Sequence, residues 1–176
     1  MTTLEQRLRA NIRDVPDFPK PGIMFKDITT LLADPKLFRS TVDAFAQQYA
    51  GEHIDVVVGM ESRGFLFGAP LAMELSAGFA PARKPGKLPY DKIAVSYDLE
   101  YGSATLELHT DAIEKGDKVL IVDDLLATGG TAAATIELVE KLGGTVVACC
   151  FVVELGFLEG RAALGDVPVH SLVIYT

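Results

Sequence analysis

Cysteine is almost absent from this chain of 176 residues, and its two copies, Cys149 and Cys150, stand side by side in an apolar run. Adjacent cysteines make neither a metal knuckle nor a disulfide framework, so they read as reduced core residues of a strand. Histidine is nearly as scarce: His53, His109 and His170 are scattered, without metal-ligand spacing, and read as surface or strand residues. Cations are outnumbered, with 16 Lys and Arg against 24 Asp and Glu, and the net charge of -8 argues against broad nucleic-acid binding, which needs a basic face. No apolar run approaches a membrane span, and the opening residues Met1-Thr2-Thr3-Leu4-Glu5-Gln6-Arg7 lack the apolar core of a secretory leader. The expected location is the cytoplasm, with no membrane partner. Kinase and P-loop readings fail because no Gly-x-x-x-x-Gly-Lys-Ser/Thr occurs. Repeats, linkers and low-complexity tracts are missing too. What is present is an ordinary globular composition, 49% hydrophobic and 23% charged, sufficient for one domain over residues 1–176.

The most informative stretch spans residues 119–142. Val119, Leu120, Ile121 and Val122 are four consecutive apolar residues, three of them β-branched, the pattern of a strand buried on both faces inside a parallel sheet. Asp123-Asp124-Leu125-Leu126-Ala127-Thr128-Gly129-Gly130-Thr131 follows, and then Ile136, Val139 and Leu142 recur at helical spacing up to Gly143-Gly144. Glycines bring backbone amides close to a ligand, threonines add hydroxyl donors, and the start of a helix presents unpaired N–H groups. The helix dipole adds roughly 0.3 to 1 kcal/mol for a negative group there. A phosphate fits this loop. Two carboxylates beside a phosphate repel it unless they face its sugar, and vicinal ribose hydroxyls are suitable donors for them.

This motif resembles the 5-phosphoribosyl 1-diphosphate (PRPP) site of type I phosphoribosyltransferases, and Leu125, Leu126 and Ala127 resemble its adenine branch. The resemblance covers nearly the whole chain. It implies an α/β fold with a central, mostly parallel sheet flanked by helices, a small N-terminal hood over about residues 1–33, and a flexible β-hairpin loop over about residues 84–106. It implies conversion of adenine and PRPP to AMP and diphosphate, with Mg2+ brought by PRPP rather than by a dedicated protein site, and a homodimer. Ala127, Thr128, Gly129, Gly130 and Thr131 would then hold the 5-phosphate, and Asp123 and Asp124 the ribose hydroxyls. Two alternatives remain: a 6-oxopurine-type relative, and a PRPP sensor without catalysis.

The rest of the chain yields further expectations in order. Leu4, Leu8 and Ile12 mark a short amphipathic helix ended by a Pro-rich stretch. Ile23-Met24-Phe25-Lys26-Asp27 resembles the family's hood, which implies Phe25 on one face of adenine, Leu125 on the other and the Met24 backbone at the ring edge. Lys26 and Asp27 either secure the hood, approach the ligand or are solvated charges. Residues 35–49 read as a helix behind Asp34-Pro35, and residues 55–60 as a second buried strand. Glu61-Ser62-Arg63-Gly64-Phe65 repeats the strand, loop and helix-start logic with an arginine added. By resemblance this loop holds the diphosphate, Arg63 clamps it, and the Glu61–Ser62 peptide is cis. Arg83, Lys84 and Lys87 form the most basic cluster, which the resemblance assigns to the diphosphate, Arg83 reaching the neighbouring subunit's site. Ile93, Val95 and Tyr97, then Ala104, Leu106 and Leu108, alternate as two antiparallel strands. Between them, Glu100 is the candidate proton donor or acceptor at the purine, since Ala127 cannot titrate where other type I members carry an acid, and Tyr101 is the lid contact. Residues 145–153 and 167–175 are the last strands, and Glu159 and Arg161 are expected in solvent between them.

Overall fold

The structure is a computed structural model that describes residues 2–98 and 103–176. Helix α1 (Leu4–Asn11) starts on a capping box in which Thr3 and Gln6 satisfy one another's amides. An antiparallel pair follows, β1 (Arg13–Pro16) and β2 (Met24–Asp27), joined through a cis Phe18–Pro19 peptide. Next come α2 (Thr29–Ala33) and α3 (Pro35–Tyr49), where the Asp34 side chain accepts from the Lys36 and Leu37 amides. Strand β3 (Val56–Met60), helix α4 (Gly64–Leu75) and strand β4 (Gly78–Ala82) make the first parallel crossover. The hairpin β5 (Lys92–Asp98) and β6 (Ser103–His109) precedes β7 (Lys118–Leu126), α5 (Gly130–Leu142), β8 (Thr145–Leu155) and β9 (Val169–Tyr175). Two 3-10 turns, Gly156–Leu158 and Gly160–Leu164, connect the last two strands.

Strands β4-β3-β7-β8-β9 form, in that order, an all-parallel five-stranded sheet. Helices cover both faces, so its central strands bury both sets of side chains and read as unbroken apolar runs. Val57, Leu120, Val122 and Cys150 pack under α1 to α4, whereas Val58, Ile121, Cys149 and Phe151 pack under α5 and the β5–β6 hairpin. Cys149 and Cys150 thus enter opposite halves of the core, and burial pushes the Cys150 thiol up to about 12. No helix among the described residues is long and apolar enough to cross a membrane.

Chain order reverses between β3 and β7: β3 leads through α4 outward to β4, and β7 leads through α5 the other way to β8. Open parallel sheets bind ligands outside the carboxyl ends of the strands at such a reversal. Both loops singled out in the sequence leave the sheet there.

Several elements depart from the sequence expectation. Strand β7 runs to Leu126 rather than stopping at Val122, because β8 offers Phe151, Val153 and Glu154 as partners for Asp123, Leu125 and Leu126. Strand β4 carries Pro81, a residue tolerated because β4 lies at the sheet edge. Arg161 is not simply solvated: half-exposed, it forks onto the carboxylate of Glu154, which is 5% exposed.

Candidate active site

The loop between β7 and α5 turns on Gly129, whose φ of 88° is left-handed and leaves its carbonyl to accept from Ala133, opening α5. Ala127, Thr128, Gly129, Gly130 and Thr131 wrap a cavity of about 80 Å³ that Asp123, Leu125, Met60 and Phe151 complete. The hydroxyl of Thr131 is met by the Tyr97 hydroxyl at 3.0 Å, and the Thr131 carbonyl accepts from Thr135. A small polar hollow at the N-terminus of a 13-residue helix has the makings of an anion site.

A second cavity of about 250 Å³ opens next to it, lined by Glu61, Ser62, Arg63, Lys84, Asp123 and Asp124. Asp123 borders both cavities, so the two form one crevice across the end of β3 and β7. The Glu61–Ser62 peptide is cis, as the resemblance implied. Asp124 is 3% exposed, and its Oδ2 accepts from Arg63 Nε at 2.5 Å, while Asp123 Oδ1 accepts from the Asp124 amide at 2.8 Å. Burial first, and then the neighbouring Asp124 charge, push Asp123 well above the usual carboxylate range, with Arg63 opposing. A crevice that holds paired acids next to Arg63 and Lys84 favours a ligand with hydroxyl donors at the acids and anionic groups on either side.

Glu61 gathers the basic loop. Its Oε2 accepts from the Lys84 amide at 2.7 Å, and Arg83 approaches both carboxylate oxygens at 3.3 and 3.4 Å. Burial works against the Glu61 charge, but the Lys84 amide and Arg83 outweigh it and hold the carboxyl below its usual range. Arg83 therefore lies against Glu61 and over the Phe65 ring. Lys87 is exposed and lines neither cavity.

The β1–β2 hairpin brings Phe25 to the crevice rim, 5.9 Å beneath the Arg63 guanidinium, with Phe18 edge-on to it at 5.1 Å. Met24 is exposed next to it, and Leu125 lies half-buried in the cradle wall. Lys26 points elsewhere: its ammonium sits on Asp14 and 3.8 Å over the Tyr175 ring, which Arg9 also approaches at 4.9 Å. Asp27 accepts from the amide and hydroxyl of Thr29, so it secures the start of α2. Tyr97 and Tyr175 were not singled out by sequence reasoning, since nothing local distinguishes them from other strand aromatics. Glu100 and Tyr101 lie outside the described residues. Among those residues no cluster of three or more His, Cys, Asp or Glu could hold a metal ion.

Comparison with known proteins adds a second line. The model of the phosphoribosyl transferase domain family matches residues 27–164. The chain is 57% identical over 174 residues to the adenine phosphoribosyltransferase of Myxococcus xanthus, covering 99% of this chain and 95% of that one. It is 60% identical over 169 residues to that of Methylococcus capsulatus, covering 96% and 99%. Among solved structures, the adenine phosphoribosyltransferase of Thermoanaerobacter pseudethanolicus superposes with a TM-score of 0.95 at 50% identity, covering 98% of this chain and 100% of that one. The Saccharomyces cerevisiae enzyme, complexed with an imino-altritol bisphosphate and adenine, gives 0.92 at 44% identity, covering 98% and 99%.

Proposed function

The chain belongs to the phosphoribosyltransferase family and acts as an adenine phosphoribosyltransferase, and from that premise we propose which of its residues carry the transfer. The reaction breaks the bond between ribose and diphosphate in PRPP and joins the ribose to a purine nitrogen of adenine, giving AMP. The observation that carries the assignment is the single crevice in which a helix-start cradle, paired acids and an arginine meet.

Ala127 to Thr131 hold the 5-phosphate through backbone amides and two hydroxyls. Asp123 and Asp124 accept from the ribose hydroxyls and favour the positive charge that grows on the sugar as diphosphate leaves. Arg63, Ser62 and Lys84, which line the crevice, stabilise the departing diphosphate, and Arg83 and Lys87 add positive charge from the basic loop that Glu61 fixes. Mg2+ is brought by PRPP rather than held at a protein site of its own, and it would supply positive charge that offsets that of the leaving group. Phe25 and Leu125 sandwich adenine, offset stacking adding roughly 0.5 to 1.5 kcal/mol beyond area. Met24 reads the ring edge, and Lys26 secures the hood, about residues 1–33, through Asp14 and Tyr175. Within residues 84–106, Glu100 handles the purine proton and Tyr101 contacts the closed site. The protein works in the cytoplasm.

We also propose a homodimer through α4 and the edge strand β4. Leu66 and Phe79 are partly exposed and Met73 is 82% exposed, an apolar outer face beyond what an isolated helix needs. Met73→Lys together with Leu66→Glu is expected to halve the mass in sedimentation. An unchanged dimer mass would move the interface elsewhere.

The function is tested by product formation from each base with PRPP and Mg2+. Adenine alone is expected to react; turnover of hypoxanthine, guanine, xanthine or orotate would replace the substrate, and PRPP binding without turnover of any base would point to a sensor. Arg63→Ala removes the partner of a buried carboxylate as well as the diphosphate contact. It is expected to raise KM for PRPP by about 10- to 100-fold, with KM for adenine unchanged; a change confined to adenine would remove Arg63 from the diphosphate.

A further inference from the structure

Behind the cradle, on the side away from the crevice, lies the turn Gly160–Leu164. Two glycines meet there. A methyl group on Gly160 would lie 2.1 Å from the Ala127 carbonyl oxygen, and one on Gly129 would lie 2.3 Å from the Gly160 carbonyl oxygen and 2.9 Å from the Ala163 methyl. The two backbones are therefore in direct contact, and the position of the turn is the position of the cradle's back wall. Leu164, 4% exposed, holds one end of the turn in the core beside Gly129.

The other end is held by charge. Arg161 donates from Nε and Nη2 to the two oxygens of Glu154 at 2.7 and 2.8 Å, and from Nη1 to the Val169 carbonyl at 3.3 Å. Ser171 donates to the same carboxylate at 2.5 Å. Glu154 pairs with Leu126 on one side and Ile174 on the other, so this clamp ties the turn to β8 and β9 just where β7 enters the cradle. A bidentate pair fixes direction as well as distance.

We propose that Glu154 and Arg161 are positioning residues for the 5-phosphate cradle, pressing Gly160 against Ala127 so that the amides of residues 127–130 stay aimed at the phosphate. This rests on the assignment of Ala127 to Thr131 as the phosphate cradle. Neither residue touches substrate; both act through the contact between Gly160 and the cradle.

Arg161→Met keeps the length of the side chain and removes its fork. The expected result is a roughly tenfold rise in KM for PRPP and in the dissociation constant of AMP, with kcat at saturating PRPP and KM for adenine unchanged. Arg161→Lys recovers part of the loss, since a single ammonium cannot span both oxygens. Gly160→Ala, which leaves the ion pair intact and displaces the Ala127 carbonyl, reproduces the selective effect on PRPP and AMP. Equal losses for both substrates, or a lower melting temperature with KM for PRPP unchanged, would overturn the proposal. Should Arg161→Met fail to fold, Ser171→Ala, which removes one bond to Glu154, is expected to raise KM for PRPP by a smaller factor; an unchanged value overturns it equally. Thr128→Ala and Thr131→Ala separate the two readings. If they leave AMP affinity untouched, the cradle assignment itself is wrong; if they weaken it while Arg161→Met does not, only the clamp is refuted.

Discussion

Asp124→Asn lowers kcat for AMP formation by about 10²- to 10³-fold and leaves AMP affinity nearly unchanged. The asymmetry follows from charge. Asp124 is buried to 3% exposure with Asp123 beside it and Arg63 opposing, a low-dielectric setting in which a fixed negative charge acts strongly on a cationic sugar. AMP carries no positive charge on its ribose, so the amide costs it little. Equal losses in turnover and affinity would contradict the role. The same variant has a pH signature. Asp123 is held above the usual carboxylate range by burial and then by Asp124. Removing the second cause lets Asp123 ionise at lower pH, so the acid limb of kcat/KM moves toward acid. For stability the sign is opposite to that of a salt-bridged acid: a raised carboxyl makes the fold lose stability as pH climbs from the ordinary carboxylate value to the raised one. In the variant that decline ends at a lower pH and totals less, and melting temperature measured across this window reads it.

Glu100→Gln slows turnover by about 10²-fold and leaves PRPP binding nearly intact. The argument is by assignment of the other acids. Ala127 has no ionisable group, Asp123 and Asp124 face the ribose in the proposed pose, and Glu61 is occupied by the Lys84 amide and Arg83. Tyr97, three residues before Glu100, reaches the Thr131 hydroxyl, so β5 delivers the chain to the cradle's edge. Glutamine preserves shape and hydrogen bonding but not proton exchange. One limb of the pH profile should vanish with the rate, and unchanged turnover would remove Glu100 from the mechanism.

Much of this site was legible in the amino-acid order because its logic is local. A β-branched run, two acids, two glycines and two threonines describe the strand, the proposed sugar contact and the proposed phosphate cradle within one short segment, and Glu61 to Phe65 repeats the strand, loop and helix-start scheme. The β5–β6 hairpin was equally readable from alternation. What escaped depends on distant partners. Strand β1 has only four residues and pairs across a Pro-rich connection, and β4 contains a proline that only an edge position excuses. The hydrogen bond between the Tyr97 and Thr131 hydroxyls spans 34 residues, and Arg161 looked solvated because Glu154 sat in an apolar strand whose neighbour Ser171 lies 17 residues on.

The reversal of chain order between β3 and β7 also bears on how the molecule comes to be folded. Their alignment begins where Asp55 accepts from the Lys118 amide, 63 residues later, whereas β7, α5 and β8 form a contiguous crossover. Closing a long loop precedes any reward from its contacts, so distant parallel pairing is slow compared with local pairing. The half of the crevice built by Ala127 to Thr131 can therefore mature early, while the half built by Glu61 to Arg63 waits for the sheet's centre to zip. Ligands that bridge both halves would speed nothing before that step and would chiefly retard unfolding after it.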